Sequence, residues 1–240
     1  MFPVGDEGVP LSRGFPIVNI TLIVLCIGAF VLQLMFGSEA SVMAYGTIPR
    51  EITQGVDLGP NCRNCAGLPE QLISFPVYVT LLTSMFMHGG YMHIFGNLLF
   101  LFIFGDNVED AMGHLGYTIF YLACGMVANF AQIFTDPNSP VPGVGASGAI
   151  AGVMAAYLVM FPRAQVRVLA GLYGIIRVPA LFMLGFWFVT QLLSGVGSLA
   201  TTSATGDPTG GVAYWAHIGG FVAGLVLVWV FRRRDTAPAY

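Results

Sequence analysis

The chain is 240 residues long, 56% hydrophobic and only 9% charged, with a mean hydropathy of +0.77. A soluble domain carries about 25% charged residues, so this composition cannot cover a water-facing surface and excludes a soluble fold. The net charge of −3 supplies no basic face, and no nucleic-acid partner is expected.

In chain order, residues 1–14 read as a cytoplasmic N-terminal tail carrying Asp6, Glu7 and Arg13. A helix of about 20 apolar residues crosses a bilayer. Six stretches approach or meet that length: Phe15–Phe36, Met92–Val108, Gly116–Phe134, Val144–Phe161, Val178–Gly197 and Val212–Phe231, the second and fourth being short. The first is expected to be retained, because its flank is not net positive and its apolar run exceeds a signal-peptide core. Residues 37–80 form a structured outer loop, and Phe75–Met87 within and after it reads as an interfacial lead-in to the second span. Residues 232–240 are a cytoplasmic C-terminal tail. The expected fold is an all-α polytopic membrane protein whose residues 15–231 form a bundle of six transmembrane helices.

Orientation follows from the arginines. With the N-terminus cytoplasmic, Arg13, Arg163, Arg167, Arg177 and Arg232 to Arg234 lie inside, and only Arg50 and Arg63 lie outside. Seven against two is a clear positive-inside bias. Both termini are then cytoplasmic.

Polar groups within spans carry function because hydrocarbon makes them costly unless they are paired or hydrated. Ser147, in Gly145-Ala146-Ser147-Gly148, opens the fourth span, and His217, in Ala216-His217-Ile218-Gly219-Gly220, lies near the start of the sixth. His93 and Asn97 are four apart and share a helix face, with His88 just upstream. His217 has Gly220 and Gly224 on its own face, and Ser147 is followed by Gly148, Gly152 and Ala156. Such small-residue rows let backbones approach closely, as a direct serine–histidine contact requires. Singly, each feature has an ordinary structural reading: a tight helix entry, a packed histidine, a packing face. Their joint occurrence points to acyl-transfer chemistry inside a membrane.

Together these motifs resemble the rhomboid family of intramembrane serine proteases. The resemblance runs from about Thr80 to Phe231. It rests on the Gly145–Gly148 nucleophile motif, on Ala216–Gly220 continuing to Gly224, and on Met87-His88 through Met92-His93-Ile94-Phe95-Gly96-Asn97; Glu109 falls where the family commonly has a glutamate. It implies a six-span rhomboid-like bundle and a serine endopeptidase with Ser147 as nucleophile and His217 as base. His93 and Asn97, with the Ser147 backbone N–H, would hold the oxyanion, supported by Gly145, and His88 would hydrate the recess or hydrogen-bond there. No acidic residue lies in the fifth or sixth span, so the pair is a dyad rather than a triad. No cofactor is implied. The implied partners are the lipid bilayer and single-pass transmembrane substrates, in a prokaryotic plasma membrane.

Ser147 to Phe161 is 15 residues, about 22 Å of helix, shorter than the roughly 30 Å hydrocarbon core. Ser147 is therefore expected at the floor of an outward-facing, water-filled recess, beneath the kinked loop Thr135–Val144. Two departures from the family stand out. Ala151 occupies the position where an aromatic often packs on the histidine, leaving Tyr157 or Tyr214 to support His217. The first outer loop has Arg50 but no tryptophan.

Cys26 and Cys124 read as small core residues. Cys62 and Cys65 form a C-x-x-C that an oxidising compartment favours as a disulfide, with a shared metal site or free thiols as alternatives. Two other functions compete: a catalytically silent rhomboid-like binder or chaperone of membrane proteins, and a small transporter using His88, His93 and His217. Intact Ser147 and His217 argue against the first, and the absence of mid-span acids argues against the second.

Overall fold

A computed structural model describes residues 2–7, 14–55, 76–205 and 212–233, with the backbone alone for 199–205. Cys62 and Cys65 lie outside the described residues. Among the described residues, five helices are long and apolar enough to cross a membrane: α1 (Ile17–Phe36), α5 (Tyr91–Met112), α6 (His114–Thr135), most of α8 (Ala180–Thr205) and α9 (Tyr214–Phe231). The expected fourth span is α7 (Ser147–Met160), a 14-residue helix. The chain is a helical membrane bundle. The first loop folds into two short helices, α2 (Ser38–Tyr45) and α3 (Pro49–Gln54), and the lead-in to α5 contains the turn α4 (Thr80–Thr83).

The start of α1 is fixed from a distance. Pro16, at its N-cap, makes no side-chain cap. The Val18 and Asn19 amides instead donate to Glu109 Oε1 and Oε2 at 2.9 and 2.7 Å. Glu109 is almost fully buried on α5; a carboxylate at a helix N-terminus satisfies both orphan amides and the positive dipole end. His114 Nδ1 lies 2.5 Å from the same carboxylate. Asn19 completes the tie: its Nδ2 donates to Leu101 O at 3.1 Å, and Tyr117 OH donates to its Oδ1 at 2.9 Å. One buried cluster thus joins α1, α5 and α6. It also explains why α5 runs past the expected end at Val108: the acidic turn is helical because Glu109 is committed to α1.

Helices α6, α7 and α9 pack through small residues. A Cβ on Gly220 would collide with the Gly148 backbone, and one on Gly224 with the Gly152 backbone. On the far side, Gly148 meets Ala128 and Gly152 meets Cys124. Backbone lies against backbone at the α7–α9 contact, as small-residue faces permit in lipid. Cys26 and Cys124 are free and buried.

One region corrects the sequence reading. Residues 2–7, read as a tail, form β1 (Phe2–Glu7), which pairs antiparallel with β2 (Gln165–Leu169); β2 pairs in turn with β3 (Ile175–Pro179). Strand β2 alternates, with Val166 and Val168 fully buried and Gln165 and Arg167 on the other face, the period of a half-buried strand. Glu7 accepts from Arg177 Nε at 2.8 Å, and Asp6 turns inward to accept from Tyr157 OH at 2.6 Å and Asn107 Nδ2 at 2.9 Å. Burial raises the Asp6 pKa, an effect its hydrogen bonds and Arg167 oppose. Phe2 stacks on Phe95 with centroids 6.0 Å apart, so the strand runs alongside α5. Six residues containing Pro3 and Gly5 carry no strand pattern of their own; the pairing edge comes from β2.

Replacing Glu109 with Leu leaves two buried amides without an acceptor, a cost of about 3 kcal/mol. The expected outcome is an unfolding midpoint about 6–12 °C lower, read by thermal denaturation of the detergent-solubilised protein.

Candidate active site

Ser147 is the first residue of α7, and the chain reaches it through a tightly held loop. Gly145 has φ +128°, a region that favours glycine, and a Cβ there would press on the His93 ring. The Gly145 amide donates to Ser84 O at 2.9 Å, and Gly143 and Thr47 exchange backbone hydrogen bonds of 2.8 and 3.0 Å. Thr47 Oγ1 lies 2.9 Å from both Thr80 O and Ser84 Oγ. The first loop, the α4 turn and the loop before α7 therefore act together to set where α7 begins. Its first amides have no intrahelical acceptors, so donors and a positive dipole end cluster around Ser147.

His217 comes from the first turn of α9, one helical turn before Gly220. Its Nε2 lies 2.8 Å from Ser147 Oγ. Nδ1 lies 2.7 Å from Gln191 Oε1 on α8, and the Trp187 ring lies near the imidazole with centroids 5.7 Å apart. Ala151 is buried in α7, and the ring is supported from α8 instead. Of the two residues expected to support it, Tyr157 is bonded to Asp6, and Tyr214 lines the same cavity.

Ser147, His217, His93 and Asn97 all line one cavity of about 850 Å³, walled also by Gln132 and Trp187 and bounded by Ser139 and residues 141–144 of the loop before α7. The Gly89 amide donates to His93 Nδ1 at 3.3 Å, leaving Nε2 of the neutral ring as the N–H donor. Asn97 Nδ2 is buried without a hydrogen-bond partner. It is an unspent donor among the groups lining the Ser147 cavity.

His88 is placed differently from the sequence reading. It is fully buried and is not among the cavity-lining residues. Its backbone exchanges two 2.9 Å hydrogen bonds with the Gln33 side chain of α1, its Nδ1 lies 3.1 Å from Phe86 O, and its ring meets His93 edge-on at 5.4 Å. It backs His93 rather than hydrating the recess. The residues that sequence reasoning missed are Trp187 and Gln191. Both lie in the fifth span, outside the motifs that mark the second, fourth and sixth. Their spacing of four on one helix face was the available signal.

A bundle of membrane helices with a hydrogen-bonded serine–histidine pair facing an open cavity defines the class, and the comparisons supply the family. The Rhomboid domain family matches residues 76–234, and the chain belongs to the rhomboid family. It is 29% identical over 167 residues to Rhomboid-like protein 11, chloroplastic, of Arabidopsis thaliana, covering 68% of this chain and 56% of that protein. It is 34% identical over 80 residues to Putative rhomboid protease YdcA of Bacillus subtilis, covering 33% and 40%. It is 32% identical over 119 residues to Rhomboid protease GluP of the same species, covering 50% and 23%. The chain thus spans 56% or less of the length of each of these relatives.

The α7–α9 backbone contact sets the Ser147–His217 distance. Gly220→Ala is expected to part the two helices and lower kcat/KM about 100-fold, the cost of a displacement near 1 Å. Gly28→Ala on α1, where a Cβ meets nothing within 4 Å, should leave cleavage unchanged in the same assay.

Proposed function

We propose that the chain is a serine endopeptidase that hydrolyses peptide bonds in or near transmembrane segments of other membrane proteins. The observation that carries this reading is the 2.8 Å contact between Ser147 Oγ and His217 Nε2 at the wall of an open cavity. A serine hydroxyl is a weak nucleophile and needs an adjacent base. His217 takes its proton as Oγ attacks the scissile carbonyl, then returns it to the leaving amine. His93 Nε2–H, Asn97 Nδ2 and the Ser147 amide donate to the oxyanion, where developing charge meets fixed dipoles. A water entering from the cavity then hydrolyses the acyl-enzyme, with His217 again as base.

The substrates in this reading are single-pass membrane proteins, cut near the Ser147 end of the bundle. The arginine distribution supports the placement: Arg163, Arg167, Arg177, Arg232 and Arg233 gather at the opposite end, which faces the cytoplasm of a prokaryote. The C-terminal end of α9 lies on that side, whereas Phe2 stacks on Phe95 near the start of α5.

Purified protein incubated with single-pass substrates gives the test. Wild type is expected to cleave, with Ser147→Ala and His217→Ala slower by about 10⁴-fold or more. Asn97→Ala should lose about 10²–10³ in kcat with little change in KM. Equal cleavage by wild type and Ser147→Ala would overturn the assignment. Folded wild type that binds such segments without cutting any of them would favour a client-binding role.

A further inference from the structure

The imidazole of His217 can serve Ser147 in only one of its two neutral tautomers. Nε2, 2.8 Å from Ser147 Oγ, must present a lone pair to take the hydroxyl proton. Nδ1 must then carry the hydrogen, and a buried N–H needs an acceptor. The group at Nδ1 is the side-chain amide of Gln191, with Oε1 2.7 Å away.

We propose that Gln191 is a positioning residue of this site, fixing His217 in the tautomer and orientation that accept the Ser147 proton. The inference rests on Ser147 and His217 acting as nucleophile and base. It makes the pair part of a three-residue hydrogen-bonded arrangement across α7, α9 and α8, with an amide in the place a carboxylate takes in a Ser-His-Asp triad. An orienting amide is known chemistry, since Cys-His-Asn sites use one. The choice suits the location: a carboxylate mid-span is costly, whereas an amide oxygen supplies the hydrogen bond without a net charge.

Two further contacts agree. Trp187, one turn before Gln191, lies against the imidazole with centroids 5.7 Å apart and 39° between planes. Trp187 also packs on Phe221 of α9 at 6.2 Å, and Phe188 stacks on the same Phe221 at 4.2 Å. Helix α8 therefore holds the ring by its Nδ1 edge and by its face, and its own position against α9 is fixed by aromatic packing. The amide orientation is chemically determined. Turned over, Gln191 would donate to Nδ1, place the hydrogen on Nε2 and block the base.

The test compares wild type with Gln191→Leu and Gln191→Glu. Leucine is apolar and similar in size, so it suits a membrane helix while removing the acceptor. One readout is cleavage of a transmembrane substrate, with kcat and KM separated and kcat/KM followed against pH. The other is the ¹⁵N spectrum of His217 in histidine-labelled protein, recorded in a Ser147→Ala background so that it does not depend on activity. Gln191 intact should give the Nδ1–H form, and Gln191→Leu should lose that preference. In otherwise native enzyme, Gln191→Leu should lower kcat by about tenfold or more with KM unchanged. Gln191→Glu should keep the tautomer and restore turnover. It should also move the acid limb of the pH profile to higher pH, because a carboxylate favours the imidazolium. A Gln191→Leu protein with the native tautomer and native kcat would overturn the proposal, as would a Gln191→Glu protein with an unmoved acid limb. Loss of the dyad reading is separately visible as equal cleavage by wild type and Ser147→Ala, and the spectrum still decides what Gln191 does.

Discussion

The contact of α7 with α9, glycine backbone on glycine backbone, is the constraint on which the site depends. Lipid offers no hydrophobic force to press two apolar helices together, so close approach has to come from shape. Gly148 and Gly152 face Gly220 and Gly224 with no room for a Cβ. That approach brings a serine at the start of one helix within 2.8 Å of a histidine in the first turn of the other. A side chain at Gly220 or Gly224 would part them. The serine–histidine pair is thus brought together by residues that carry no functional group.

Around that contact the structure spends its buried polar groups as fasteners. Glu109 holds the start of α1, Asn19 ties that helix to α5 and α6, and Gln33 holds the backbone of His88. Each sits where an unpaired group would be costly, and each joins elements far apart in sequence. Some buried groups are left without a partner. Among the described residues, Asn97 Nδ2 and Trp215 Nε1 are buried and unbonded, and both residues line the cavity beside Ser147. A donor left open at that position is available to an incoming carbonyl oxygen.

Much of this was legible in the sequence because lipid imposes simple rules. Apolar length gave the helices, and small-residue spacing gave the α7–α9 face. The polar residues opening the fourth and sixth spans gave the pair that the fold brings together. What escaped has physical causes. The sheet depends on pairing across more than 150 residues of chain, which no local pattern in residues 2–7 records. The support of His217 comes from α8 rather than from position 151, and its members are a tryptophan and a glutamine, which carry no charge to mark them. His88 was legible as a polar group beside His93 but not as one outside the cavity lining, because it lies in the irregular segment before α5, where no periodicity assigns a face.

The most direct test of the central claim is whether Ser147 is activated by His217. Detergent-solubilised protein would be treated with a fluorophosphonate, which phosphonylates activated serines with loss of fluoride, and the adduct located by peptide mass spectrometry. The account requires a single adduct on Ser147 in the native chain, lost in His217→Ala. An adduct on another serine, equal labelling of Ser147 without His217, or no adduct in folded native protein would contradict it.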